Sequence, residues 1–498
     1  MMFILNPEFR NLAPNSMESG DKTPVENESS GLDYWMSRVL REWDRARDDF
    51  APEPVHDLRV ALRRCRSIAD GFIVFDPHPA WKLMKGAGRR LFQQLGALRD
   101  TQVMLEWVWR ISPAFDETAA VLSRHLAGQE ALHKESAAEA LQDFGRKKWA
   151  SWTQLLSNRA RRIPAGSLAF QHLALERWAE AHALHMRALR NRSHAACHRL
   201  RIGLKKFRYT TENFLPDRDT AWGAELGELQ DLLGEMHDLH MLWQTALAVK
   251  AFRSKEVRAA WRLRIAGEIR QRFDRYRQAT VGKTSRWQVW RGGLPQPEHI
   301  GLASLARLRA WAAFRDPNPA RSTHSAKLSL QLYDGLESLG MTRDIRLTNA
   351  RFLLEAAALV HDAGMYRGEK KHHRASYRMI RKIPPSPGLD TDSMRFIAFI
   401  ARYHRGALPR TGQKALSGIP AEHKGTIFLL CGILRLAAAF DWRRKKRIHR
   451  LVLTRSEEAL RLYAPGYEAD CAAAEKLSAA RHLLETSCAM PILICPLQ

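Results

Sequence analysis

The chain is predicted to be all-α, and three features predict it. Apolar residues recur at three- and four-residue steps from Leu32 to about Thr280 and again from about Gly301 to Asp441. Helix breakers fall roughly every 20 to 35 residues, and runs of β-branched residues are scarce. Taken in order, residues 1–31 are expected to be a flexible leader, because their polar, acidic, Ser- and Pro-rich part at 14–31 buries too little to offset the entropy of ordering. Helices follow, with breaks at 51–54, 76–79, 112–115, 164–167, 190–193 and 216–220, each supplying Pro, Gly, Asp or Ser where a helix must stop. They make a first domain over 32–280. Gly292-Gly293 with Pro295 and Pro297 mark 281–300 as a linker, leaving 301–498 as a second domain. Within it, alternation at 448–454 and 459–463 predicts a small β-hairpin, and a last amphipathic helix is expected over 471–486.

With 498 residues, 45% of them hydrophobic, the chain can bury more than one core, which excludes a disordered or collagen-like class. The net charge of +26 comes from 79 Lys and Arg against 53 Asp and Glu. The first 50 residues hold 10 acids against 6 bases, so the basic excess belongs to the folded body and calls for a polyanion partner. Six cysteines without a C-x-x-C pair fit reduced thiols and a cytoplasmic protein. The longest apolar run, 426–440, carries Arg435 and is too short to cross a bilayer, so no membrane partner is expected. Residues 1–14 lack the basic n-region and cleavage site of a signal peptide.

An internal repeat organises the first domain. His56, Arg59, Arg63, Arg64 and Arg66 stand at the same offsets as His198, Arg201, Lys205, Lys206 and Arg208. Leu58, Val60 and Leu62 answer Leu200, Ile202 and Leu204, and Leu95-Gly96 with Asp100 answers Leu233-Gly234 with Asp238. At about 100° per residue, offsets 0, +3, +7 and +10 share one stripe of a helix. The apolar offsets flank it on both sides, so each helix is expected to be packed on two faces and to line a groove. Stacked cations in a groove call for an anion.

The stretches V-H-D-L-R-V-A-L-R-R-C-R with L-G-A-L-R-D, and H-R-L-R-I-G-L-K-K-F-R-Y with L-Q-D-L-L-G-E-M-H-D, resemble the two halves of a CHAD domain, over roughly residues 30 to 280. The resemblance implies two pseudo-symmetric four-helix bundles around a basic channel that binds inorganic polyphosphate. It assigns that role to His56, Arg59, Arg63, Arg66, His198, Arg201, Lys205, Lys206 and Arg208, with Lys82, Arg89 and Arg90 as weaker candidates on the following helix.

The second domain carries metal-ligand types in sequence order: His324, then His361-Asp362, His372-His373, His404 and Asp441, inside apolar helical runs where an unpaired acid would be costly. Imidazoles and carboxylates together suit a divalent ion of hydrolytic chemistry. The stretches H-D-A-G-M-Y-R-G-E-K-K-H-H-R-A-S-Y, A-R-Y-H-R-G-A-L-P and I-L-R-L-A-A-A-F-D resemble the HD superfamily of metal-dependent phosphohydrolases, closest to the C-terminal helical domain of exopolyphosphatase and guanosine pentaphosphate phosphatase (Ppx/GppA) proteins. That resemblance implies a helical HD domain in which His324, His361, Asp362 and Asp441 are primary ligands. His373 and His404, with His372 as a further candidate, would hold a second ion, Mn, Mg, Fe or Zn, although Ala375 stands where relatives often carry a histidine. His361, Asp362, Lys371, Arg374 and Arg405 form the expected catalytic set, with Lys370, Arg378 and Arg402 nearby in sequence to neutralise phosphate.

The leading expectation is therefore a cytoplasmic protein, associated with polyphosphate granules, that captures polyphosphate and hydrolyses a phosphate ester or anhydride. The alternative is a non-catalytic granule scaffold whose HD domain only binds polymer. Nucleic acid ranks below both, because the stripes lack interleaved stacking aromatics.

Overall fold

The computed structural model describes residues 31–48, 50–343, 345–410, 412–413, 416, 418–441, 448–468 and 471–496. The expected leader lies outside them, apart from Gly31. The first repeat is α1 (Leu32–Asp48), α2 (Pro52–Phe72), α3 (Ala80–Ala87), α4 (Arg89–Ile111), α5 (Glu117–Gln142) and α6 (Arg146–Ala160). The second is α7 (Leu168–Asn191), α8 (His194–Phe214), α9 (Pro216–Ala248), α10 (Lys255–Thr280) and α11 (Arg286–Gly292). Residues in the expected breaks, or in the case of Asp116 one position after, start these helices. Pro52 and Pro216 open α2 and α9, while Asp116 and Ser193 cap α5 and α8 by accepting the backbone N–H of Ala119 and Ala196.

The two repeats pack alike. Helix α1 pairs with α2 as α7 does with α8, and α4 with α5 as α9 does with α10. The inner helices then meet across the repeats, α2 against α8 and α4 against α9. One core fills both halves around Leu58, Leu62, Leu200 and Leu204. A second cluster around Trp107, Leu122, Leu239 and Trp261 closes the far end of α4, α5, α9 and α10. The expectation that each stripe helix is walled on both sides fails at one offset: Ile202 is 43% exposed and Val60 is half-buried.

Residues 281–300 are not an open linker. They contain α11, whose Trp287 and Trp290 are fully buried, and α11 packs on α7 as α6 packs on α1. The apolar bulk of two tryptophans outweighs the Gly-Gly and proline signal that follows them.

The rest is α12 (Pro297–Ala313), α13 (Pro319–Ser338), α14 (Ala350–Val360), a 3₁₀ turn (Ala363–Arg367), α15 (His372–Ile380), α16 (Thr391–Arg402), α17 (Ala421–Phe440) and α18 (Cys471–Cys488), with β1 (Val452–Arg455), β2 (Leu460–Tyr463) and β3 (Ile492–Cys495). Strands β1 and β2 form the expected antiparallel hairpin, and β3 adds a parallel strand on β2. Helix α17 is long and apolar enough to cross a membrane by length and composition. Its Ile427, Leu430, Ile433, Leu434 and Leu436 are instead fully buried in the second core, against α13, α14, α16 and α18.

The two regions are joined through α12, which lies on α7. Arg307 is 3% exposed and donates to Glu176; its NH1 also lies 3.2 Å from His172 Nδ1, while His172 Nε2 lies 2.7 Å from the Pro387 carbonyl. A buried charge paired in this way is costly to separate.

Candidate functional site

Two clusters of chemistry-bearing residues emerge, one in each region. In the first, α2 lies against α8 and their stripes face each other. Arg59, Arg63, Arg201 and Lys205 share one electrostatic neighbourhood: burial, then Arg201, Arg63 and Arg59, push the Lys205 ammonium down to about 8 against the pull of Asp100. Burial likewise lowers Arg59, with Asp100 opposing and Arg63 adding to the effect. The Nε atoms of Arg59, Arg63 and Arg201 are buried with no hydrogen-bond partner. Cations that are desolvated, adjacent and unsatisfied favour an anionic ligand.

The other stripe residues divide. Arg64 is tied to Glu212 and Asn213 and lies over the Trp35 ring, so it braces α2 against α8. Arg66 donates to the Lys85 carbonyl at 2.7 Å and covers the Phe92 ring, which makes it a strut to α3 and α4 rather than a free contact. Arg90 is spent on Glu139 and Asp143. Lys206, Lys82 and Arg89 are exposed, and Arg208 is half-buried, with its guanidinium carbon 3.8 Å from where a Cβ on Gly227 would stand. His56 is held below its usual range by burial and by Arg59, Arg63 and Arg99 against Asp57, and His198 by burial, Arg201 and Lys205. His198 also belongs to an imidazole cluster with His194, His237 and His240, which the sequence reading did not single out.

Two clefts open beside the cations. One of about 450 Å³ is lined by His56, Arg59, Arg99 and Lys134, and one of about 290 Å³ by Arg99, Arg110, Arg201, Asp231 and Asp238. Arg99 touches both and was missed by sequence reasoning, although it precedes Asp100 of the repeat. The Leu-Gly-x-x-x-Asp echo thus marks more than symmetry. It puts acids beside the stripes, and burial, with Asp100 and Glu235, pushes Asp238 up to about 6 against Arg201 and Lys205.

The second cluster forms where helices end. His361 and Asp362 follow α14, His404 follows α16 and Asp441 follows α17, while His372 opens α15. Three converging C-termini bring partial negative charge to one place. Gly364 permits the approach: a Cβ there would stand 2.1 Å from the His372 carbonyl oxygen. Ser376 staples the turn, donating to the His361 carbonyl at 2.6 Å and accepting the Gly364 N–H at 2.8 Å.

His361, His372 and His404 each give Nδ1 to a backbone carbonyl, of Ala358, Glu369 and Ala401, at 2.7 to 2.9 Å. A carbonyl only accepts, so each Nδ1 carries a proton and each ring turns its Nε2 inward. Those atoms lie 3.5, 3.0 and 3.6 Å from the Asp362 carboxylate, and the Nε2 atoms of His372 and His404 face each other at 3.2 Å. His361, Asp362 and His404 form the only group of metal-ligating spacing among the described residues. Asp362 stays well below the usual carboxylate range although burial alone would raise it, because His361, His372, His404 and Arg321 surround it.

The structure departs from the expected ligand set in two ways. His373 stands outside this group: its ring centre is 6.4 Å from that of His404, and burial, His372 and the guanidinium groups of Arg405, Arg374 and Arg402 lower it to about 4. The preceding residue, His372, takes the inward place instead. His324 and Asp441 are buried nearby, but Arg321, one turn before His324, pairs with Asp362 and lies 3.8 Å from Asp441. Among the expected catalytic residues, Arg405 lines a cleft of about 420 Å³ with Arg321, His372, His404 and Arg435, while Lys371 and Arg374 are exposed outside that lining.

The fold and clusters define a helical protein with a duplicated basic module followed by a histidine- and aspartate-bearing helical module. Family models identify both: residues 32–247 match the CHAD domain, and residues 318–482 match the Ppx/GppA phosphatase, domain III. Among solved structures, the chain is similar to a crystal structure of the CHAD domain from the plant Ricinus communis, at 21% identity, over 53% of this chain and 88% of that one, with a TM-score of 0.38. No curated protein matches the chain.

Proposed function

We propose that the chain binds inorganic polyphosphate between α2 and α8, and that its C-terminal region is an HD-type, metal-dependent phosphohydrolase acting on polyphosphate or a related ester or anhydride. One observation carries the first part: Arg59, Arg63, Arg201 and Lys205 meet from two repeats with buried, unpartnered guanidinium nitrogens. A flexible chain of phosphates supplies many acceptors in single file, which suits cations set along two facing helices. A nucleic acid would need stacking platforms, whereas the rings nearest the cluster, Phe92 and Tyr209, already lie under Arg59 and Arg63.

The second part rests on the fit of the histidine–aspartate group to a divalent ion. Three inward Nε2 atoms with their Nδ1 protons fixed on carbonyls are the arrangement that orients imidazole ligands. Such an ion polarises phosphoryl oxygens and acidifies water when bound. Arg405 on the cleft wall holds phosphate oxygens, Arg435 braces that wall by donating to the Tyr403 and Gly406 carbonyls, and Arg321 pairs with Asp362. The ion pair between Arg321 and Asp362 equally favours the scaffold reading, in which this region only binds polymer. Cytoplasmic residence at polyphosphate granules belongs to the same proposal.

Calorimetric titration with long-chain polyphosphate, paired with a phosphate-release screen over polyphosphate, pyrophosphate and guanosine tetraphosphate with and without added Mn²⁺, tests both parts. Saturable polymer binding and metal-dependent release are expected. Absence of polymer binding overturns the first part, and polymer binding without release under any metal overturns the second in favour of the scaffold.

A further inference from the structure

The two carboxylate oxygens of Asp362 have different surroundings. On one side of Asp362, Oδ1 faces the Nε2 atoms of His372 at 3.0 Å and His404 at 3.6 Å. The Nδ1 atoms of these rings are committed to the Glu369 and Ala401 carbonyls, so it is their Nε2 atoms that face Oδ1. Oδ1 is buried with no hydrogen-bond partner, and so is the Nε2 of His361, which lies 3.5 Å from Oδ2; the two residues are 3% and 0% exposed. Imidazole nitrogens and a carboxylate oxygen converge there. On the other side, Oδ2 accepts from the Arg321 guanidinium, whose Nε is 3.8 Å from Asp441 Oδ2.

Arg321 is not a surface side chain that has strayed inward. Its side chain is only 15% exposed, and the Asn318 side chain caps α13 by accepting the Arg321 N–H at 3.2 Å, fixing the first turn from which the guanidinium reaches both carboxylates. A guanidinium that pairs with Asp362 and lies 3.8 Å from Asp441 puts positive charge beside both acids, where a cation bound to both would stand.

We propose that Arg321 substitutes for one of two metal ions. The chain then binds one divalent ion, held by His361, Asp362, His372 and His404, while Arg321 permanently occupies the position between Asp362 and Asp441. This deepens, and rests on, the reading of the region as a metal-dependent phosphohydrolase. It also refines the substrate: the guanidinium groups of Arg321 and Arg405 line the same cleft as His372 and His404, which would suit a doubly charged monoester or chain end.

The test is the stoichiometry of Mn²⁺ on the full-length, chelator-stripped protein, read by calorimetry and by electron paramagnetic resonance. The wild type should bind one ion per chain and give an uncoupled Mn²⁺ signal. Arg321→Met, which keeps an unbranched apolar stem and removes the guanidinium, should bind two ions with a spin-coupled signal. His404→Gln should weaken the single ion by about 100-fold. A circular-dichroism melt on each variant separates lost ligands from lost folding, and Arg321→Lys serves as a second variant that keeps the charge and should stay at one ion. Two ions in the wild type, or one ion in both wild type and a folded Arg321→Met, overturns the substitution. In either case, metal-dependent phosphate release would leave the hydrolase reading standing, whereas a wild type that binds no ion removes both.

Discussion

The cations between α2 and α8 and the histidine–aspartate group at the ends of α14 and α16 solve opposite electrostatic problems. The first gathers like charges from two copies of one pattern and leaves them short of partners, so Lys205 falls to about 8 and three arginine Nε atoms are unsatisfied. The second gathers lone pairs, fixes each imidazole through a carbonyl three residues back, and leaves room for a point charge. The difference teaches how ligand shape is written into helices. On the proposed function, a polymer is met by stripes running along helix faces, and a small ion by side chains at helix ends.

Reversing charge at the centre of the first site should break the comparison most severely. The double variant Arg63→Glu with Lys205→Glu is expected to lose polyphosphate affinity by on the order of 10³-fold at fixed salt, measured by calorimetry, with Mn²⁺ binding unchanged. Retained affinity would mean that the polymer sits elsewhere. In the second site, neighbouring histidines should differ: His372→Ala is expected to weaken Mn²⁺ binding by about 100-fold, and His373→Ala by less than about 3-fold. Equal losses would return His373 to the ligand set.

Protonation sharpens the contrast further. Asp238, raised to about 6, gains negative charge as pH climbs through that value, and Lys205, lowered to about 8, sheds positive charge as pH climbs through its own. Both changes repel a polyanion, so affinity should fall with rising pH between about 5 and 9, by about tenfold for each group. A flat or rising profile under constant ionic strength contradicts this. The smallest effect is expected at a strut: Arg66→Ala should change polyphosphate affinity by about 2-fold at most while lowering stability by about 1 kcal/mol in denaturant unfolding, because its bond to the Lys85 carbonyl is structural.

How much of this the sequence carries depends on the distance over which each feature is decided. The stripe is legible because it is set by one helix and repeated by another. Which members remain available to a ligand is not, since Arg64 is claimed by Glu212 and Arg66 by the Lys85 carbonyl, partners on other elements. His361, Asp362, His404 and Asp441 could be picked out as acids and imidazoles within apolar runs. The choice of His372 over His373 turns on where α15 begins, after Lys371 in a left-handed conformation at φ 59°, which residue type does not announce. Arg321 reads as an ordinary basic residue until α13 is placed beside Asp362. Strand β3 was missed because four residues acquire strand character only by pairing with β2, some 30 positions earlier.

The salt dependence of polyphosphate affinity tests the facing rows most directly. Single neutral variants of Arg59, Arg63, Arg201 and Lys205 should each reduce the slope of log K against log [salt] by about 1 relative to the wild type, while Lys206→Gln and Arg90→Gln leave it unchanged. Equal reductions from the exposed and the facing residues would contradict a seat between α2 and α8 and spread the binding over the whole basic surface.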